Sequence, residues 1–275
     1  MLKKIKFLGI ISILYLAYWG VIGWNQLGSV DKQPRISKLE KTPVQTMPDT
    51  LDFLTREASA IYRTMGLKDA GLNYPVFEQA YIGYINLKDQ HRTAPGSPVL
   101  SIADLSLSSK IKRFWVLDLV RRKVLINTWV AHGQGSGGDV PTHFSNAPDS
   151  HQSSIGFYLT AEVYRGKHGR SLRLDGIDEA FNSLARDRAI VLHGADYVSA
   201  ETIQGLNRLG RSFGCPAVPK ALSNQIIDLV KDRTVLYIYG GQVEYHSAYL
   251  NRQNAGKSLM ASLNQSDTIP AASVL

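Results

Sequence analysis

A mainly β domain with short helices, set behind a helical front piece, is the fold this 275-residue sequence predicts. Three observations predict it. After Pro98 the chain breaks into short runs rich in β-branched and aromatic residues, split by polar turns. Before Pro98, apolar residues recur at helical spacing. Finally, 44% hydrophobic residues, 20% charged residues and one cysteine make an ordinary globular composition with no disulfide framework, so a hydrophobic core must hold the chain. That composition excludes a disordered chain, a collagen and a coiled-coil rod, and one cysteine excludes a multi-cysteine zinc site.

Residues 1–28 read as a membrane anchor or signal segment. Residues 7–24, FLGIISILYLAYWGVIGW, are 18 in a row without a charge. As a helix they span roughly 27 Å, close to a bilayer hydrocarbon core. Lys3, Lys4 and Lys6 precede them and no basic residue follows until Lys32, which holds the N-terminus in the cytoplasm and exports the rest. No small-residue cleavage site follows Trp24, so an uncleaved anchor in the inner membrane, with the remainder on the extracytoplasmic (periplasmic) side, is the expected arrangement. Secretion after cleavage is the alternative. Setting the three leader lysines aside takes the formal net charge from +8 to about +5, a mild bias that suits an anionic envelope polymer. No basic run, zinc-finger spacing or aromatic RNA-binding motif points to nucleic acid.

Residues 29–50 are polar and contain Pro34, Pro43 and Pro48, as a tether would. In the helical front segment, 51–97, the apolar residues Leu51, Leu54, Ala58, Ile61, Tyr62 and Met65 share a helix face, with Asp49 or Thr50 as its cap, and Asn73 and Pro75 open a second helix to about Leu87. The catalytic-size domain is expected over 98–244. Its strands are 99–104, 113–119, 124–131, 155–160, 171–174, 190–193 and 234–239, with helices at 178–185 and 219–230. Residues 245–275 read as a loose polar tail.

The most informative segment is Arg211-Ser212-Phe213-Gly214-Cys215-Pro216. A cysteine nucleophile needs a tight turn to expose sulfur, amide donors for an oxyanion, and a nearby base. Gly214 permits the turn, and the amides of Gly214 and Cys215 with the Ser212 hydroxyl are the candidate oxyanion donors. His193, where an apolar strand meets Gly194, is the candidate base, because its ordinary pKa lets it take a thiol proton and return it. An unpaired cysteine is more often a small buried hydrophobe, and a lone His beside Gly is more often structural. What raises the catalytic reading is that the cysteine is unpaired in an exported chain, follows S-x-G, and has His-Gly upstream.

At these residues the sequence resembles L,D-transpeptidases of the YkuD type, whose signature is a His, a gap, then Ser/Thr-His-Gly-Cys. It is similar in particular to the divergent murein L,D-transpeptidase catalytic domain family. Six ordered blocks carry the resemblance: VAHGQGSG (130–137), FSN (144–146), SSIGFY (153–158), GKHGRSLRLDG (166–176), VLHGADYVS (191–199) and GRSFGCPAVP (210–219). Phe213 stands where the commoner signature has a second His. The resemblance implies a YkuD-like β-sandwich and cysteine-dependent acyl transfer on peptidoglycan stem peptides. In that chemistry Cys215 attacks the carbonyl between a diamino acid and the terminal D-residue, with His193 as base. The D-amino acid leaves, and an amine takes the acyl group from the thioester, giving a 3-3 cross-link or D-amino-acid exchange. The group orienting the His is often a backbone carbonyl in this family, and neither metal nor cofactor is implied.

His132, Ser154, Tyr158, Arg173, Arg211 and Phe213 are the further candidates for substrate contact, and Tyr164 and Tyr197 are aromatics that suit a groove. Three other readings stay open. Water in place of the amine would make the enzyme an L,D-carboxypeptidase or endopeptidase. A non-catalytic wall-binding module would leave Cys215 buried and inert. The scattered histidines 132, 143, 151, 168 and 193 invite a zinc hydrolase, although none has H-x-x-x-H or H-E-x-x-H spacing.

Overall fold

A computed structural model of the chain describes residues 47–241 and 243–266. The expected anchor, and nearly all of the expected tether, lie outside the described residues. Among the described residues no helix is long and apolar enough to cross a membrane. The described residues form one compact unit.

Helix α1 (Met47–Thr64) buries Leu54, Ala58 and Ile61, the i, i+4, i+7 face its sequence marks out. Helix α2 (Tyr74–Asp89) starts with Pro75 in its first turn, where the missing N–H costs nothing. It is buried nearly all round because it lies between the sheet and the other helices. Gly83 lets it approach so closely that a Cβ there would run into the Phe157 ring.

The strands are β1 (Val99–Asp104), β2 (Phe114–Asp118), β3 (Lys123–Thr128), β4 (Gly156–Gly166), β5 (Gly169–Gly176), β6 (Val191–Ala195), β7 (Ala217–Pro219) and β8 (Val235–Tyr239). They form one continuous hydrogen-bonded sheet, ordered β3-β2-β1-β8-β4-β5-β6-β7. The expected mainly β fold with short helices is therefore present, and the implied sandwich takes the form of one sheet with apolar residues on both faces. Alternation along the strands makes the two faces. Leu100, Ile102, Trp115, Leu117, Phe157 and Tyr237 face α1 and α2, while Val116, Tyr158, Leu172, Leu192 and Leu236 face helix α4 (Lys220–Val230). Each such fully buried side chain contributes about 1.5–3 kcal/mol.

Three elements differ from the sequence expectation. The segment 179–189 is a run of turns, not a helix. Its polar side chains compete with the helical pattern: Asn182 accepts from the Asp178 amide and donates to the carbonyls of Ile155 and Phe157. A short helix α3 (Ala200–Leu206), capped by Ser199, was not expected. Over its described residues, 245–266, the tail is not loose, since α5 (Arg252–Ser266) packs on α1 and α2. Small residues at that contact, Ala255 and Gly256, conceal it from a hydrophobic-period reading. Asn86 ties the tail down by donating to the carbonyls of Tyr249 (2.7 Å) and Asn251 (3.0 Å). Buried Asp178 adds three bonds, accepting from the Phe157 amide, the Tyr245 hydroxyl and the Ser247 hydroxyl.

Candidate active site

The β6–β7 end of the sheet carries the site. In the parallel β6–β7 pair His193 lies opposite Ala217, which sets Cys215 across from Val191, two residues back along β6. The Cys215 sulfur accepts from the Val191 amide at 3.4 Å. On its other side the Cys215 segment is braced by residues 131–134 through isolated bridges from Ala131 to Ala217 and from Gly133 to Ser212. Ala131 and Ala217 exchange amide–carbonyl bonds, Ser212 donates its amide to the His132 carbonyl, and Gln134 donates to the Ser212 carbonyl.

The turn before Cys215 is built from its own side chains. The Ser212 hydroxyl donates to the Cys215 carbonyl at 2.6 Å and accepts from the Gly214 amide at 3.1 Å. Both groups are thereby committed to the turn, which corrects the expectation that Ser212 and the Gly214 amide serve an oxyanion. Of that set the Cys215 amide remains. Gly214 has φ +121°, in the region that favours glycine, and a Cβ there would meet the Gln152 carbonyl oxygen at 2.8 Å and Ile190 at 3.0 Å. Gly214→Ala is therefore expected to cost about 1–3 kcal/mol in backbone strain alone. Thermal denaturation should read a melting temperature several degrees lower. An unchanged melt would contradict this account of the turn.

His193 is 1% exposed. Its Nδ1 lies 3.0 Å from the Gly194 carbonyl oxygen, a bond that sets Nδ1 as the donor and leaves Nε2 as the free lone pair. The orienting group is thus a backbone carbonyl of the next residue. Burial pulls the His193 pKa down, opposed by the Gly194 bond and helped by His168 and Lys167. Burial likewise pushes the Cys215 thiol up, against the Val191 amide and the charges of Lys167 and Arg188. Both shifts favour the uncharged forms, imidazole and thiol.

Both residues line one cleft of about 640 Å³. Of the residues nominated from sequence, Arg211, Ser212, Phe213, Tyr164 and Tyr197 line it too. Arg211 donates to the Gly137 carbonyl at 2.7 Å and so ties the 134–137 loop to the Cys215 segment. Phe213 is 58% exposed and stacks on His151 with ring centroids 4.4 Å apart.

Four nominations lie elsewhere, each for a packing reason. His132 is buried, with Nδ1 2.8 Å from the Arg113 guanidinium, and burial with that charge lowers its pKa to about 4. It anchors residues 131–134 from behind. Tyr158 is a fully buried core residue on β4 and does not line the cleft. Ser154 is buried and bonded to the Tyr158 hydroxyl at 2.7 Å. Arg173 lies over the Tyr164 ring and pairs with Glu162.

The sequence missed Ser153, whose hydroxyl joins the Gly133 amide to the Gly214 carbonyl. It also missed Arg188, which lines the cleft and donates to the carbonyls of Ser145 and Gln152, pinning the 145–152 loop. Lys167, Asp149 and Asp187 line the cleft unnominated as well, and His151 and His168, which the sequence offered only as scattered histidines for a zinc site, line it too. Arg188 follows a polar, irregular run, and the others become site residues only when loop and hairpin fold back. Among the described residues no group of three or more His, Cys, Asp or Glu converges as a metal site.

The L,D-transpeptidase catalytic domain family matches residues 68–239. No curated protein matches the chain. Among solved structures the chain is similar to an L,D-transpeptidase from Mycobacterium smegmatis, at 13% identity over 52% of this chain and 59% of that one, with a TM-score of 0.33. It is similar to the L,D-transpeptidase (residues 123–326) from Xylanimonas cellulosilytica, at 15% identity over 58% and 79%, TM-score 0.32. It is also similar to the helical cell shape determining protein Pgp2 from Campylobacter jejuni, at 10% identity over 67% and 65%, TM-score 0.37. The chain spans about three fifths of the length of the first of these.

Proposed function

We infer the chemistry from one premise: the chain belongs to the L,D-transpeptidase catalytic domain family. The reading is cysteine-dependent acyl transfer on peptidoglycan stem peptides, as part of cell-wall remodelling. The observation that carries it is the Gly194 carbonyl on His193 Nδ1, which leaves Nε2 free as a base in the cleft that holds the Cys215 thiol.

In this reading Cys215 attacks the carbonyl of the bond between the diamino acid and the terminal D-residue, and His193 takes the thiol proton as the S–C bond forms. His193 then gives that proton to the nitrogen of the leaving D-amino acid. The Cys215 amide stabilises the oxyanion between the two events. The resulting thioester is opened by an amine, and the product is a cross-link or an exchanged terminus. The two shifts toward uncharged imidazole and thiol support general-base assistance rather than a pre-formed thiolate. The uncharged N-terminal run behind three lysines supports a site on the extracytoplasmic face, held to the inner membrane.

Product mass tests the reading. The full chain is incubated with tetrapeptide-containing muropeptides, and dimers or exchanged termini are expected. Shortened monomers alone would replace transfer with hydrolysis. Unaltered muropeptides would overturn both.

A further inference from the structure

His168 occupies the two-residue turn of the β4–β5 hairpin, between the paired Gly166 and Gly169. The hairpin folds back over the cleft, and the His168 ring lies face to face on His193, with centroids 4.1 Å apart and planes at 21°. The inner ring is closed off from solvent and the outer ring is exposed. No hydrogen bond from the described residues acts on the His168 ring, whose two nitrogens are free.

On the acyl-transfer reading above, transfer has a proton requirement that acylation lacks. An aliphatic amine has a pKa of about 10, so the acceptor arrives at neutral pH as an ammonium with no lone pair. One proton must leave it, and leave the site, before attack. A second is lost as the N–C bond forms, and this one passes through His193 to the departing Cys215 sulfur. His193 must be neutral to take the second proton, and, buried beneath the His168 ring, it has no open path by which to discharge a first one to bulk water.

We propose that His168 is a second base of this site, which takes the first proton from the incoming ammonium and passes it to bulk water. The ammonium thereby becomes a free amine. It attacks the thioester, the C–S bond breaks, and His193 moves the second proton from nitrogen to sulfur. Charge and atoms balance: one proton goes to solvent and one to Cys215. Burial and then Lys167, its turn neighbour, pull the His168 pKa down, which keeps the ring a neutral acceptor at neutral pH. His193 faces it from β6, and the other charged groups on the cleft wall are Asp149, Asp187, Arg188 and Arg211.

The test uses the full chain and His168→Phe, which keeps a flat ring on His193 and removes both nitrogens. A tetrapeptide muropeptide is the donor. D-Methionine, an ammonium at neutral pH, and hydroxylamine, which is not, are the two acceptors. Intact mass follows thioester formation, and product mass follows transfer. With D-methionine, transfer by the variant should fall about 10²-fold further than thioester formation does. With hydroxylamine that gap should close, and His168→Gln should behave in the same way. An equal loss with both acceptors, or no loss with either, overturns the second base. A wild-type chain that forms no thioester overturns the acyl-transfer reading itself, whereas a thioester that partitions identically in wild type and variant removes only the role of His168.

Discussion

Cys215→Ala is expected to abolish acyl transfer while leaving the fold in place. The chain has one cysteine, so no second thiol can take its role. The sulfur is half-buried against the core on the α4 face, and losing it trims one small contact of about 1 kcal/mol or less. A melting curve close to wild type alongside zero product separates a chemical role from a packing role. Cys215→Ser should be nearly as inactive, because a hydroxyl is far less acidic than a thiol and His193, held below its ordinary pKa, is a weak base for it. Wild-type product yield from the alanine variant would contradict the assignment.

The second large effect is His193→Ala, for which kcat/KM on a tetrapeptide donor should fall about 10²- to 10⁴-fold. The pH profile makes this specific. The base works only as neutral imidazole, so activity is lost as pH falls through the His193 pKa. That pKa lies below the usual value of about 6.5, because burial is the largest influence on the ring. The wild-type acid limb should therefore fall below pH ~6.5, with a flat profile through neutrality. The alanine variant should lose the limb. A limb that persists in His193→Ala would assign it to another group.

What the sequence made legible was local. Strand β1 and helices α2 and α4 follow from periodicity and from Pro75 and Pro219, and they appear within a residue or two of expectation. Cys215 and His193 were marked by their glycines, and β6–β7 pairing explains how two segments some twenty residues apart meet. What failed was long-range. Tyr158 is taken up by the core, and the buried Arg113 captures His132 behind the cleft. The β4–β5 hairpin must fold back before His168 reaches His193, and nothing in GKHGRSLRLDG alone reports that. Ser153, not its neighbour Ser154, holds the Gly214 turn, because side chains alternate along that segment. The α5 contact uses Ala255 and Gly256, which carry no hydrophobic signal.

The central claim is that Cys215 carries the acyl group. Intact-mass analysis of the full chain quenched in acid during turnover of a tetrapeptide muropeptide tests it most directly. A mass increase equal to the muropeptide less its terminal D-amino acid, mapped by digestion to the peptide containing Cys215 and absent from Cys215→Ala, is the predicted result. Consumption of the muropeptide with no adduct on Cys215, or the same adduct on the alanine variant, would contradict it.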